Sequence, residues 1–278
     1  MLLTPLKVVR HLDKCVIGQA RAKRDLALCA WKQWLGAGAY TGARFAEVQG
    51  VQGPHTILLI GPTGSGKSYL LRQLSRLFGS DLLFFSATSL VQTGYVGLSI
   101  DNLLQEAYER CGYDRERTER AILAIDEIDK IRSSHSSGPD VSGGGVQQAL
   151  LTVFDGRPAT VRHARGREVI NTSGMMFVCA GAFVGLERLV TQRLSAGSTV
   201  GFGKQSKPAE PAGITEVQTD DLVRFGMIPE FIGRFSTISF LEELSARDLA
   251  NVLRQGQDSV VKRKQHLFAS LGVELTFE

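Results

Sequence analysis

The residues with the clearest chemical potential are at positions 61–68, where the sequence reads GPTGSGKS. An apolar run, ILLI at 57–60, precedes them and leucines at helical spacing follow, so we expect a strand, a glycine-rich loop and a helix. Glycines let backbone N–H groups turn toward phosphate oxygens, and a helix N-terminus adds partial positive charge. We expect Lys67 to reach the β- and γ-phosphates of a nucleotide and Ser68 to bind its Mg²⁺. The alternative is a glycine turn that precedes a helix, with Lys67 and Ser68 there by chance.

Two adjacent carboxylates, Asp126 and Glu127, end a second apolar run, AILAI at 121–125. If this run is a strand of a parallel sheet, both side chains lie at the carboxyl edge of the sheet, where ligands bind. Asp126 is then placed to hold Mg²⁺, directly or through water, and Glu127 to orient or deprotonate the attacking water. Alone, such a pair often marks only the end of a strand at the solvent. After a phosphate-binding loop it predicts ATP hydrolysis.

A cation, Arg234, follows Gly233 and precedes an apolar segment. An arginine in this position could reach the γ-phosphate of a nucleotide bound by a neighbouring subunit. The alternative is a surface arginine paired with Glu230, and the spacing does not decide between the two.

Apolar runs separated by helical patterns predict the elements that position these residues. Strands are expected at 57–60, 82–85, 121–125, 175–179 and 238–241. Helices are expected at 19–34, after Ser68, at 100–110 and at 146–154, with loops at 36–53, 133–145 and 195–219. Because the strands are apolar on both faces and alternate with helices, we predict an α/β fold with a five-stranded parallel sheet flanked by helices.

Composition narrows the classes of function. Of the 278 residues, 43% are hydrophobic and 22% are charged, with a net charge of +4 and no basic stripe, so we expect no nucleic-acid partner. No apolar run is long enough to span a membrane, and the N-terminus lacks the pattern of a signal peptide, so we expect no membrane partner. The four cysteines lie far apart, which favours core residues in a reducing, cytoplasmic protein.

These motifs occur together with others in the order found in the ClpX family of AAA+ protein unfoldases, which this chain resembles from about Pro5 to its last residue. The further motifs are VIGQ at 16–19, GYVG at 94–97, VSG at 141–143, GVQQALL at 145–151, GAF at 181–183 and IPEFIGR at 228–234. The resemblance implies a P-loop AAA+ large domain at 1–241 and the start of a small helical domain, truncated, at 242–278. It also implies that the family's N-terminal zinc-binding domain is absent.

The resemblance and the phosphate-binding loop together imply a set of site residues. Glu127 and Arg234 are the catalytic residues, the latter as an arginine finger acting in trans, and Ser68 and Asp126 hold the metal. The residues expected to bind ATP are Val16, Ile17, Pro62, Thr63, Gly64, Ser65, Gly66, Lys67, Ser68 and Tyr69. Without the family, Val16 and Ile17 could equally be a hydrophobic cap on the first helix.

Two further segments acquire roles from the resemblance alone. Tyr95 and Val96 resemble the axial pore loop that grips a translocating polypeptide, and the aromatic ring suits sequence-tolerant contact. The alternative is a core tyrosine beside a turn. Val200, Gly201 and Phe202 resemble the tripeptide that docks on the ClpP peptidase, and the alternative is a loop packed on its own domain.

The function implied is an ATP- and Mg²⁺-dependent protein unfoldase and translocase. It would act as a homohexamer that delivers unfolded or tagged proteins to a ClpP-type peptidase. The basic segment at 162–167 resembles the family's substrate-recognition loop only in charge, and the arginine of the second sensor is missing. That absence favours an alternative, a regulatory or scaffold subunit that binds nucleotide without hydrolysing it. A nucleic-acid motor is disfavoured, because Tyr95 and Val96 carry no positive charge.

Overall fold

The computed structural model describes residues 3–36, 54–91, 98–133, 143–163, 166–197, 216–255 and 259–277. The described α-helices are α1 (Pro5–Cys15), α2 (Ala20–Gly36), α3 (Lys67–Phe78), α4 (Ile100–Arg110), α5 (Arg115–Glu119), α6 (Gly143–Phe154), α7 (Leu186–Gly197), α8 (Thr219–Phe225), α9 (Pro229–Ile232), α10 (Ala246–Gln255) and α11 (Val260–Ala269). The described strands are β1 (His55–Ile60), β2 (Leu82–Ser86), β3 (Leu90–Val91), β4 (Leu98–Ser99), β5 (Ile122–Asp126), β6 (Pro158–His163), β7 (Gly166–Asn171), β8 (Met176–Gly181) and β9 (Thr237–Phe240).

Five of these strands form one parallel sheet in the order β2-β5-β8-β1-β9, which confirms the predicted α/β architecture. Strand β1 lies between β8 and β9, so the loop that follows it is flanked by the carboxyl ends of two other strands. Parallel pairing requires crossover connections, and the helices provide them on both faces of the sheet.

The two faces of the sheet are covered by separate apolar clusters, as the uninterrupted hydrophobic strands predict. In β1, Leu58 and Ile60 belong to one cluster, while Ile57 and Leu59 belong to the other. All four side chains are fully buried. Burying an aliphatic side chain of this size contributes about 1.5–3 kcal/mol, so the central strand is held firmly on both sides.

Some element bounds differ from those predicted. Helix α6 begins at Gly143 rather than at Val146, and helix α1 was not expected at all. Its start has a local cause, because the Thr4 hydroxyl accepts a hydrogen bond from the N–H of Lys7 and Pro5 occupies the first turn. The loop expected at 36–53 lies outside the described residues except for its first residue, Gly36, which ends α2.

The basic segment at 162–167, expected as a loop, instead belongs to an antiparallel hairpin. Strands β6 and β7 pair with Pro158 opposite Asn171 and His163 opposite Gly166, and residues 164–165 lie outside the described ranges. The His163 ring lies 5.4 Å from that of Tyr108, and Arg115 lies 3.9 Å from Glu168. Contacts to α4 and α5 therefore hold strands whose own sequence is mostly polar.

Among the described residues, no helix combines the length and the apolar character needed to cross a membrane.

Candidate functional site

The predicted nucleotide site lies at the carboxyl edge of the sheet. Strand β1 ends beside β8, with Ile60 opposite Gly181, and β2 ends beside β5, with Ser86 opposite Asp126. The phosphate-binding loop follows Ile60 and the acidic pair ends β5. The sheet therefore brings together segments that are about 60 residues apart in the sequence, as expected for ligand sites in open parallel sheets.

The loop at 61–68 has the geometry of a phosphate cradle. Gly64 and Gly66 have φ values of 84° and 94°, in the left-handed region that favours glycine, and a Cβ on either would meet nothing within 4 Å. Gly66 precedes α3 without a side-chain hydrogen bond to cap the helix. The first N–H groups of α3 thus have no side-chain cap at Gly66, and open space lies beside the loop, which suits an anionic ligand.

Lys67 begins α3 and folds back over this loop. Its Nζ donates hydrogen bonds to the carbonyl oxygens of Gly61 at 2.6 Å and of Pro62 at 2.9 Å. Burial lowers the pKa of Lys67, and the nearby carboxylates of Asp126 and Asp129 oppose that shift. A phosphate anion would offer this partly desolvated ammonium group a stronger partner than two carbonyls do.

The acidic pair is held in a defined geometry. Asp126 Oδ1 accepts a hydrogen bond from the N–H of Glu127 at 2.8 Å. Glu127 has a φ of 59°, uncommon for a residue with a side chain, and its Oε2 accepts hydrogen bonds from the hydroxyls of Ser86 at 2.8 Å and Thr88 at 3.1 Å. Glu127 is thus fixed by side chains from the end of β2, with Oε1 left to act on another group.

These groups line one cavity of about 480 Å³ beside the loop. Its walls include Lys67, Ser68, Asp126, Glu127 and the buried Asp129. A hydroxyl and carboxylates are the hard oxygen ligands that Mg²⁺ prefers when nucleotide phosphates complete its coordination. The described residues contain no group of three or more His, Cys, Asp or Glu side chains arranged to hold a metal.

A second cavity, of about 490 Å³, continues from the same loop on its other side. The sequence-predicted residues that line it are Val16, Ile17, Gly64, Ser65, Gly66 and Tyr69. Leu244, Leu249 and Val252, from the segment after β9, form part of its wall. A mainly apolar cavity next to a phosphate cradle is suited to a purine base.

The remaining loop residues have smaller parts in this arrangement. Thr63 lines the cavity that contains Lys67, and Pro62 contributes its carbonyl oxygen to Lys67 and to the N–H of Ser65. The structure therefore brings every sequence-predicted nucleotide residue into contact with one of two adjoining cavities or with the loop between them.

Arg234 lies at the opposite edge of the sheet from this loop. Its carbonyl oxygen accepts a hydrogen bond from the Thr56 hydroxyl, and Thr56 lies near the start of β1. The five residues from Thr56 to Ile60 span about 13 Å of strand, which separates the Arg234 backbone from the loop of its own chain. Its guanidinium pairs with Asp155 at 2.8 Å and is half exposed. The alternative, a surface arginine in an ion pair of its own chain, therefore agrees with the structure except that the partner is Asp155 and not Glu230.

The predicted pore and docking residues cannot be located. Tyr95 and Val96 lie outside the described residues, as do Val200, Gly201 and Phe202.

Sequence reasoning missed several residues of the site. Ser86 and Thr88 contact Glu127 across 41 and 39 positions of the sequence, and Asp129 lies beside the expected acidic pair. A hydroxyl at the end of one strand carries no signal until its neighbour in the sheet is known. Asp129 could have been noticed, since it is a carboxylate two positions after Glu127 in an apolar setting.

Fold and site together define a nucleotide-binding P-loop domain, and comparison with known proteins gives its class. A protein-family model described as "AAA domain (Cdc48 subfamily)" matches residues 54–238, and the chain belongs to this family. Among known proteins, it is similar to the "ATP-dependent Clp protease ATP-binding subunit ClpX" of Borrelia duttonii (strain Ly), Borrelia recurrentis (strain A1) and Azotobacter vinelandii. Each is 36% identical over 99% of this chain, which confirms the resemblance inferred from the motifs. The chain spans 66% of the length of these relatives.

Proposed function

We propose that this chain is an ATP-hydrolysing protein unfoldase of the ClpX type. The observation that carries the proposal is the convergence of Lys67, Ser68, Asp126 and Glu127 on one cavity beside an uncapped helix N-terminus. The phosphate-binding lysine, the two metal ligands and the general base of a P-loop enzyme each have a counterpart in that cavity.

The roles of the residues follow from their positions. Lys67 and the loop N–H groups would hold the β- and γ-phosphates, and Ser68 and Asp126 would hold Mg²⁺, which would supply positive charge to neutralise the phosphates. Glu127 accepts the proton of the attacking water through Oε1, because Oε2 is occupied by the hydroxyls of Ser86 and Thr88.

Arg234 completes the site of a neighbouring subunit. Its position at the far edge of its own sheet supports action in trans, and its half-exposed guanidinium leaves Asp155 as a partner that a γ-phosphate can replace. This role requires a ring, and we propose a homohexamer, as the resemblance implies.

The coupling of ATP hydrolysis to protein unfolding rests on similarity rather than on the described residues. The relatives named above are ATP-binding subunits of the Clp protease. We propose that this chain likewise serves a ClpP-type peptidase, gripping unfolded or tagged proteins with Tyr95 and Val96 and docking through Val200, Gly201 and Phe202. The alternative of a scaffold that does not hydrolyse ATP is opposed by the ordered contacts that hold Glu127.

A cytoplasmic location is part of the proposal. All four cysteines are buried, and none of them forms a disulfide. Burial raises the pKa of Cys29 to about 12 and also raises the pKa of Cys111 and of Cys179, so these thiols are core residues with little thiolate character. Free thiols of this kind are typical of a reducing compartment.

The unfolding step is tested with a stable fluorescent protein that carries a peptide tag, mixed with this chain, ATP and a ClpP-type peptidase. We expect loss of fluorescence that requires ATP, and we expect Tyr95→Ala to abolish it while ATP hydrolysis stays within about threefold of the wild-type rate. Tyr113→Ala, which removes an exposed tyrosine elsewhere, is the control and should unfold the substrate normally. Unfolding at the wild-type rate by Tyr95→Ala would contradict the pore-loop role.

A further inference from the structure

Gln19 makes hydrogen bonds to two segments that lie far apart in the sequence. Its Nε2 donates to the carbonyl oxygen of Ser65 at 3.1 Å and to that of Glu242 at 2.8 Å. Its Oε1 accepts a hydrogen bond from the N–H of Glu242 at 3.0 Å. Both amide hydrogens and the amide oxygen are therefore used, and only 6% of Gln19 is exposed to solvent.

The two segments have different parts in the molecule. Ser65 lies in the middle of the phosphate-binding loop, whereas Glu242 follows β9 and begins the stretch that leads to α10. Helix α10 contributes Leu249 and Val252 to the wall of the apolar cavity beside the loop. A shift of the loop backbone on phosphate binding would therefore reach this wall through the Gln19 amide.

The backbone around Gln19 is held in an uncommon conformation. Gly18 and Gln19 have φ values of 65° and 58°, so two consecutive residues are left-handed, and such a conformation persists only where the surroundings fix it. The start of the phosphate-binding loop also packs closely against the residue that follows β9. Leu241 donates its N–H to the Ile60 carbonyl at 2.8 Å, and a Cβ on Gly61 would lie 2.8 Å from Leu241 Cβ. The loop and the segment from 241 to 242 are thus in direct contact.

We propose that Gln19 is a positioning residue that couples the phosphate-binding loop to the segment carrying α10 and α11, so that the nucleotide state sets the position of those helices. The coupling acts through a side-chain amide whose hydrogen-bonding groups are all used. Each of its three hydrogen bonds is made to backbone that lies outside the strands of the sheet. The inference rests on the proposed nucleotide function and adds to it a route by which hydrolysis moves the rest of the chain.

The test uses the full chain with spin labels on Glu116→Cys in α5 and Lys264→Cys in α11, both exposed positions. The four native cysteines are buried, so labelling is selective for the new ones. Distances between the labels are measured by double electron–electron resonance with Mg-ADP and with a slowly hydrolysed ATP analogue. Nucleotide affinity and steady-state ATP hydrolysis are measured on the same samples.

Gln19→Met keeps the length of the side chain and removes all three hydrogen bonds. We expect the wild-type distance to differ between the two nucleotides, and this difference to vanish in Gln19→Met. The turnover number should fall by about 10- to 100-fold, with a smaller change in nucleotide affinity. The reason is that the groups lining the nucleotide site would no longer be held in fixed positions relative to one another. Gln19→Glu, which keeps only the acceptor for Glu242, provides the same test if Gln19→Met does not fold.

The matched control is Gln33→Met. Gln33 is equally buried, at 6% exposure, and its Nε2 donates to the carbonyl oxygens of Arg120 and Gly174, away from the loop. We expect Gln33→Met to lose stability yet keep the nucleotide-dependent distance and the turnover number. A merely structural role for Gln19 would make the two variants alike, and that result would overturn the proposal.

Other outcomes separate this inference from the function it rests on. If the wild type binds nucleotide but its label distance is the same in both states, or if Gln19→Met keeps the wild-type difference, the coupling is refuted while ATP hydrolysis stands. If the wild type binds no nucleotide, the proposed function fails and the coupling fails with it.

Discussion

At the scale of single residues, we expect the proposed ATP hydrolysis to depend on how Glu127 is held. Its left-handed backbone, with φ of 59°, turns the side chain away from the line of β5 and toward β2. There the hydroxyls of Ser86 and Thr88 fix one carboxylate oxygen. An unrestrained glutamate would sample several rotamers, and general-base catalysis depends on a fixed distance to the water.

Removing both hydroxyls with Ser86→Ala and Thr88→Val should lower the turnover number for ATP by about tenfold or more, with ATP affinity changed less than about threefold. The physical reason is loss of orientation of Glu127 without loss of any phosphate contact. Ser89→Ala, on the same turn but bonded only to the Ser86 carbonyl, should behave as wild type. Equal turnover in the double variant and the Ser89 control would show that these hydroxyls do not position the base.

At the scale of elements, α7 and α8 are joined across the segment between them. Arg193 in α7 donates to both oxygens of Asp221 in α8, at 3.0 and 3.1 Å, and its other branch donates to the Glu216 carbonyl at 2.7 Å. Asp221 also accepts from the Gln218 N–H at 2.9 Å, and it is fully buried. This ion pair flanks residues 198–215, which include the proposed docking tripeptide.

Asp221→Asn should lower the free energy of unfolding by about 3 kcal/mol, because it removes the buried charge that pairs with Arg193 and replaces one of its two acceptor oxygens with a donor. Urea unfolding at pH 7 measures this, and Asp220→Asn, at the exposed neighbour, should change stability by less than about 0.5 kcal/mol. If the two variants unfold at the same urea concentration, the pair contributes nothing to the fold.

The same pair predicts a dependence on pH. Burial alone would raise the pKa of Asp221, but the hydrogen bonds from Arg193 and from the Gln218 N–H outweigh it and hold the pKa below the ordinary value. A carboxylate whose pKa falls on folding stabilises the fold above its unfolded pKa of about 3.9 and loses that effect as the pH falls below it. The stability difference between wild type and Asp221→Asn should therefore shrink as the pH falls below about 4.

Elements with a strong local pattern could be predicted, and those that depend on tertiary contacts could not. Strands β1, β2, β5 and β8 are apolar on both faces and β9 is apolar on one, and the pattern predicts all five to within one or two residues of their observed bounds. Strands β6 and β7 carry charges such as Arg162 and Glu168, and their packing against α4 and α5 compensates for a weak pattern. Intrinsic strand propensity predicts a strand poorly where tertiary packing decides whether the strand forms.

The candidate site divides in the same way. Lys67, Ser68, Asp126 and Glu127 could be predicted because each belongs to a short continuous motif, either the loop at 61–68 or the end of one strand. The bonds from Gln19 to Glu242 span 223 positions, and no local pattern records them. The roles of the predicted site residues and the domain boundary at 241/242 remain predictions.

At the scale of the whole molecule, the proposed role of Arg234 requires a second copy of the chain to complete each site. Glu127→Gln and Arg234→Ala should each be nearly inactive alone. Mixed in equal amounts, they should regain activity at about a quarter of the sites, those where an Arg234→Ala subunit that keeps Glu127 adjoins a subunit that keeps Arg234. Hydrolysis that does not recover in the mixed ring would contradict the trans arrangement.

The measurement that tests the central claim most directly is steady-state ATP hydrolysis by this chain beside its Glu127→Gln variant, with Mg-ATP binding measured on both. We predict that both bind Mg-ATP and that turnover falls by about 100-fold or more in the variant. Equal turnover in the two would show that Glu127 takes no part in the chemical step. Binding without turnover in either would contradict the proposed enzyme and identify a nucleotide-binding scaffold instead.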